Sequence, residues 1–166
     1  MDLIVLQLPG IAGDSTSKVA PMSIELMSVA HGVSMPMSDT APGGSSSKAP
    51  TGVSRHSDVT LTRVYDSSSP DFHVACAKGT VYAKATIRCY ANDDVGNTAE
   101  VYNVELENVL ISSVQLSGNS GGKPTEQIAL NFTKIVWTYT KRSTVSPMTA
   151  KGKNVAGFDI GTNRAV

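Results

Sequence analysis

The sharpest chemistry in the chain is carried by Gly118-Asn119-Ser120-Gly121-Gly122. Glycines around a serine free backbone N–H groups to stabilise an oxyanion, and a serine nucleophile needs a histidine base oriented by an acid. His31 and Asp58 come earlier, in the order His–Asp–Ser. The corresponding reaction is acyl transfer, with Ser120 attacking, His31 taking its proton and Asp58 holding His31. The same residues also spell a glycine-rich hairpin between a strand ending at Leu116 and one starting near Pro124. Short motifs match by chance and nothing in the spacing brings His31 to Ser120, so the hairpin is the preferred reading.

The glycine-flanked serine is similar to the nucleophile loop of chymotrypsin-like proteases, whose two barrels need more chain than 166 residues. The remaining candidates are weaker. His31, His56 and His73 are the only histidines. A metal site wants a pair at i, i+4 or convergent carboxylates, and His73 has neither at i+4. Ordinary surface or core histidines are expected. Asp93-Asp94 before Gly96-Asn97 lacks the acid spacing and closing Glu of a calcium loop, and reads as a turn. Tyr82, Tyr90, Tyr102, Trp137 and Tyr139 could stack on sugars, but strand aromatics more often pack in cores and subunit contacts. Cys76 and Cys89 form no CxxC and no metal-ligand spacing. Buried thiols are expected, and their pairing stays open. No cofactor and no metal are expected, and the chain is read as no enzyme.

These residues would be positioned mostly by strands. Residues 81–90 alternate, with Val81, Ala83, Ala85, Ile87 and Cys89 on one face and Tyr82, Lys84, Thr86, Arg88 and Tyr90 on the other. Tyr102, Val104, Leu106, Leu110, Val114 and Leu116 share a face over 101–116, with Glu105 and Glu107 opposite. Over 128–139 the phase shifts from Ile128, Leu130 and Phe132 to Ile135, Trp137 and Tyr139, which predicts a bulge near Thr133-Lys134 or burial of both faces. Shorter strands are expected at 2–8, 22–31 and 57–65. Ser69-Pro70-Asp71 predicts a helix start, with Ser69 as cap and Pro70 in the first turn. Phe72, Ala75 and Cys76 form its apolar stripe and Gly79 stops it after about two turns. Residues 36–55, rich in Pro, Gly and Ser, predict a long flexible loop, and 143–166 an irregular tail.

Many strands with one helix predict a mainly β fold, an antiparallel β-barrel with one short flanking α-helix and a long loop between early strands. One domain suits the length. Lys+Arg and Asp+Glu number 14 each, so no basic excess supports nucleic-acid binding. No apolar run approaches the roughly 18 residues of a membrane-spanning helix. Met1-Asp2-Leu3-Ile4 carries an acid where a signal peptide wants a base. It reads as a first strand of a protein made in the cytoplasm without a cleavable signal, and exported, if at all, by a route that reads the folded chain.

Four segments resemble, in order, the haemolysin-coregulated protein (Hcp) family of bacterial type VI secretion. Gly10-Ile11-Ala12-Gly13-Asp14-Ser15 is similar to its Gly-Ile-x-Gly-Glu/Asp-Ser turn. Ile24-Glu25-Leu26-Met27-Ser28 with Gly32 resembles its second strand, although Val29, Ala30 and His31 stand where aromatics are usual, and Lys18 to Pro21 where a His often precedes that strand. Leu61 to Pro70 is similar to its Thr-Lys-x-x-Asp-x-x-Ser-Pro passage into the helix, and Pro124 to Tyr139 to its signature strand. The resemblance covers roughly residues 1–140 and implies an Hcp-like barrel domain over 1–142 followed by the 143–166 tail.

It also implies a structural subunit that forms hexameric rings, stacked into a tube. The tube is propelled by a contractile sheath, tipped by a VgrG-like spike and carries small effector proteins in its lumen. The subunit would be secreted into the medium or a target cell and serve effector delivery and virulence. The extended loop would contact neighbouring subunits, with Met37, Asp39, Pro42, Gly43, Gly44, Ser45 and Lys48 as its candidates. Lys84, Arg88, Glu105 and Glu107 are candidates for the ring wall or lumen. The alternatives are a carbohydrate-binding β-sandwich and a small serine hydrolase.

Overall fold

The computed structural model describes residues 3–38, 49–50, 52–143 and 145–166. In chain order the elements are β1 (Leu3–Gln7), β2 (Ile24–Leu26), β3 (Ser28–Ala30), β4 (Val33–Ser34), β5 (Met37–Ser38), β6 (Ala49–Pro50), β7 (Arg55–His56), β8 (Val59–Val64) and α1 (Ser69–Lys78). They continue with β9 (Val81–Asn92), β10 (Thr98–Ser117), β11 (Thr125–Asn131), β12 (Lys134–Arg142), β13 (Ala150–Asp159) and β14 (Arg164–Ala165). The strand-rich, single-helix expectation holds, and every pairing is antiparallel.

The pairings make the fold barrel-like. β1 pairs β9, β9 pairs β10, β10 pairs β11, β11 pairs β8, and β8 pairs β3. β1 also pairs β2. β2 and β3 are halves of one stretch parted at Met27, whose N–H donates to Thr62 O at 2.7 Å. The circuit therefore returns through the chain rather than through an unbroken ladder. Inside lie Leu6, Ile24, Leu61, Ile87, Leu106, Ile111, Ile128, Leu130 and Ile135, all essentially fully buried. Each contributes about 1.5–3 kcal/mol of transfer free energy.

β10 is the spine. Its first half lies between β9 and β12, and its second half pairs β11. β11 and β12 follow one line along β10, because Leu110↔Asn131 and Glu107↔Lys134 keep the same register. The expected phase shift is an interruption of both strands at one level. Asn108 takes φ 51°, a left-handed conformation that Asn tolerates, and its Nδ2 donates to Thr133 Oγ1 at 2.9 Å. The shift also corrects the expected face of 101–116. Val104 and Leu106 are buried, then Val109 and Ile111, while Leu110 is half-buried and Leu116 exposed.

On β9, Ala85, Ile87 and Cys89 face the core as expected, but Val81 and Ala83 are exposed. Its other face is buried at Tyr90, which packs with Val5 and Ala20. The helix caps one side of the core through Phe72 and Ala75 and ends on Gly79 at φ 64°. Its start differs by one residue from expectation. The cap is Ser68, without a side-chain cap bond, because both serines are drawn into a network around Arg63.

Two segments expected to be irregular carry strands in their described residues, while 39–48, 51 and 144 lie outside those residues. Residues 150–159 pair with β12 from Arg142↔Ala150 to Lys134↔Asp159, so the tail adds a strand to the sheet, and Phe158 packs on the core. Within 36–55, Met37–Ser38 pairs Ala49–Pro50, and Val33–Ser34 pairs Arg55–His56 just before it. The early loop thus leaves the barrel as an antiparallel arm of two short ladders, separate from the main sheet.

Candidate assembly surface

The structure does not bring the three acyl-transfer residues together. Ser120 lies on the exposed turn beyond Ser117↔Thr125. Asp58 sits at the opposite end of β11, where its carboxylate accepts from Asn131 Nδ2 at 2.9 Å and from Ser112 Oγ. The length of β11, about 20 Å at a strand's rise, separates them. His31 packs instead against His56, Phe132 and Trp137. The Asp93 carboxylate is consumed by its own turn, accepting from Val95 N, Asn97 N and Asn97 Nδ2. Among the described residues no group of three or more His, Cys, Asp or Glu could hold a metal ion.

The aromatics form no shared platform. Tyr90 is buried, Tyr82, Tyr102 and Trp137 are half-buried against the core, and Tyr139 is exposed. Burial raises the pKa of Tyr82, helped by Asp71, and that of Tyr102, helped by Cys89. Both cysteines are free thiols, half-buried Cys76 on α1 and buried Cys89 on β9. Burial, then the Glu100 carboxylate, pushes Cys89 up.

Antiparallel register places the four wall candidates on one face. Lys84 lies opposite Glu107, Thr86 opposite Glu105 and Arg88 opposite Asn103. On the other edge Lys134 lies opposite Glu107 and Val136 opposite Glu105. The charges pair along this face. Lys84 Nζ meets Glu105 Oε2 at 2.8 Å, Arg88 Nη1 meets Glu100 Oε2 at 2.9 Å, and Lys134 Nζ meets Glu107 Oε1 at 3.1 Å. Partly exposed pairs of this kind contribute about 0–1 kcal/mol each. Their main effect is a polar sheet face whose three cations and three anions cancel. Sequence reasoning does not find Glu100 and Lys134. Lys134 joins only through the β10–β12 register, which local alternation does not reveal.

The arm presents apolar side chains to solvent. Met37 is 51% exposed, and Val33, Met35 and Val53 are exposed beside it. The other arm candidates, Asp39, Pro42, Gly43, Gly44, Ser45 and Lys48, lie outside the described residues.

Beneath α1, Arg63 is completely buried. Its Nη2 meets Glu126 Oε2 at 2.8 Å, its Nη1 donates to Asp66 Oδ1 and Ser68 Oγ at 2.7 Å each, and Nη2 also donates to Ser69 Oγ at 3.1 Å. Its guanidinium lies 4.8 Å from the centre of the Phe72 ring. Arg63, Asp66, Ser69 and Glu126 all fall in the segments Leu61 to Pro70 and Pro124 to Tyr139. Those motifs therefore encode a buried ion pair that joins β8, β11 and the start of the helix.

Comparison with known proteins fits this architecture. The family model described as "Type VI secretion system effector, Hcp" matches residues 5–139. The chain belongs to the Hcp family. Protein hcp1 of Pseudomonas aeruginosa is 37% identical over 86 residues, 49% of this chain and 51% of the relative. The Major exported protein of the same organism is 29% identical over 105 residues, 59% of this chain and 61% of the relative. The chain thus spans about half to three-fifths of the length of these curated relatives.

Solved structures match nearly end to end. A type six secretion system protein superposes with TM-score 0.87 at 23% identity, covering 99% of each chain. The Hcp1 protein of E. coli EAEC 042 superposes with TM-score 0.75 at 25% identity, covering 95% of this chain and 97% of that one. The Hcp family model stops before β13, while the superposition that covers 99% of this chain extends over it. Among the described residues no helix is long and apolar enough to cross a membrane.

Proposed function

We propose that this Hcp chain is a tube subunit of a type VI secretion apparatus. It assembles into hexameric rings that stack, and it acts without turning over a substrate. The observation that carries this reading is the family match over residues 5–139, on a fold that Hcp structures follow over nearly its whole length. The surface supports it. Apolar side chains on the arm suit burial against a neighbouring copy, and Met37 is the described arm candidate for that contact. The charge-balanced face carrying Lys84, Arg88, Glu105 and Glu107 suits a ring wall or lumen that admits small effectors without strong selection by charge.

The implied partners are further copies of the chain, a contractile sheath, a VgrG-like spike and small effector proteins. The subunit is made in the cytoplasm and leaves it when the apparatus fires, which accords with a relative called the Major exported protein. Export is the test. The chain should reach the medium of cells with an intact contractile sheath and stay inside cells lacking it. Equal release from both would overturn the reading.

A further inference from the structure

Two histidines distant in sequence meet at the root of the arm. His31 precedes β4 and His56 ends β7, and their ring centroids lie 5.9 Å apart. His31 also faces Phe132 at 5.6 Å and Trp137 at 6.1 Å, and His56 stacks on Phe158 at 5.2 Å. The pair therefore seats the arm on the β11–β12 junction and on β13. His31 Nε2 and His56 Nδ1 are shielded from solvent with no hydrogen-bond partner. Among the described residues, a 3.4 Å contact between Ser54 Oγ and His56 Nε2 is the one made to the remaining ring nitrogens.

Among the described residues no carboxylate bonds to either ring. On the arm side the charged neighbours among the described residues are exposed Arg55 and half-buried Asp58, and Asp58 accepts from Ser112 and Asn131. On β12, Lys134 is paired with Glu107. On β13, Asp159 accepts from Thr162 N. Burial holds His31 below the ordinary histidine range, and His56 pushes it the same way.

We propose that His31 and His56 form a proton-sensitive latch for the arm: with His31 neutral, the paired rings seat it on Phe132, Trp137 and Phe158, and a charge on His31 parts them and releases it. This rests on the reading of the arm as an assembly contact, and makes ring stacking pH-sensitive. The sign follows from linkage. The released arm binds protons more readily than the seated arm, so seating is complete above the ordinary histidine pKa of about 6.5 and weakens as pH falls below it.

Trp137, the only tryptophan, is a built-in reporter, because a protonated imidazole quenches indole fluorescence. The full chain is titrated from pH 7.5 to 5.0. Trp137 emission, hydrogen exchange over residues 31–38 and 52–58, and native mass are read together. Wild type should show a coupled change below about pH 6.5, with arm exchange at least ten-fold faster and stacked rings lost. A His31→Phe/His56→Phe variant, which keeps aromatic packing and cannot titrate, should show none of these changes. His31→Phe alone, which keeps an aromatic ring against Phe132 and Trp137, is the second variant and should at least halve the emission change.

An unchanged wild-type arm across this range overturns the latch, as does the same midpoint in both variants. If wild type forms no rings even at pH 7.5, the tube reading fails. Emission and exchange then still decide the latch by themselves.

Discussion

Arg63 shows how a few side chains set the geometry of the rest. Fully buried, it is held by Glu126 and Asp66 and by the hydroxyls of Ser68 and Ser69. A pair removed from water this completely need not stabilise more than apolar packing would, but removing one partner strands the other charge. We expect Arg63→Met to lower unfolding free energy by about 3–5 kcal/mol in urea titration. A loss under 1 kcal/mol would show that Glu126 finds another partner. The family resemblance marks the segments that carry these residues, since both match by motif. Their mutual contact is not legible in the sequence, because Arg63 and Glu126 lie 63 positions apart. His31 and His56 are hidden for the same reason. Each reads locally as an isolated histidine, and only the β4–β7 ladder brings them together.

At the scale of elements, legibility follows burial. β8 and β11 each bury one side of an alternating pattern, and β9 alternates in sequence although Thr86 and Tyr90 are buried on its second face; all three are visible in the sequence. The helix shows itself through Pro70, Phe72 and Gly79. β13 is not visible, because Ala150 to Ala156 are all exposed and carry no apolar alternation. It is a strand because β12 offers it hydrogen bonds, and its lysines suit an edge. Gly157 allows its close approach. A Cβ there would lie 3.0 Å from Val136 Cγ2 and 2.9 Å from Val166 Cγ2.

Ending the chain after Arg142 should therefore cost at least about 2 kcal/mol from the packing of Phe158, and shift Trp137 emission to the red. Unchanged emission and melting temperature would make β13 a passenger. The arm should behave in the opposite way. Its ladders stand apart from the main sheet, so deleting residues 40–52 should leave the melting temperature within a few degrees while weakening ring stacking. Undiminished stacking in that deletion would remove the arm from the assembly contact.

For the whole molecule, the proposed function rests on surfaces. In the proposed assembly, the polar, charge-balanced sheet face would serve as wall and the apolar arm as joint. Strand alternation and one helix signal are enough to make the barrel-like architecture legible, and the family resemblance is in the motifs. The phase shift marks the break at Thr133, but its counterpart at Asn108 and the bent circuit through Met27 are not legible, because both depend on pairings between distant strands. The central claim is assembly, and native mass spectrometry with negative-stain imaging of the purified chain tests it most directly. The account predicts closed hexameric rings, with short stacks at higher protein concentration. A monomer at every concentration, with no rings in the images, would contradict it.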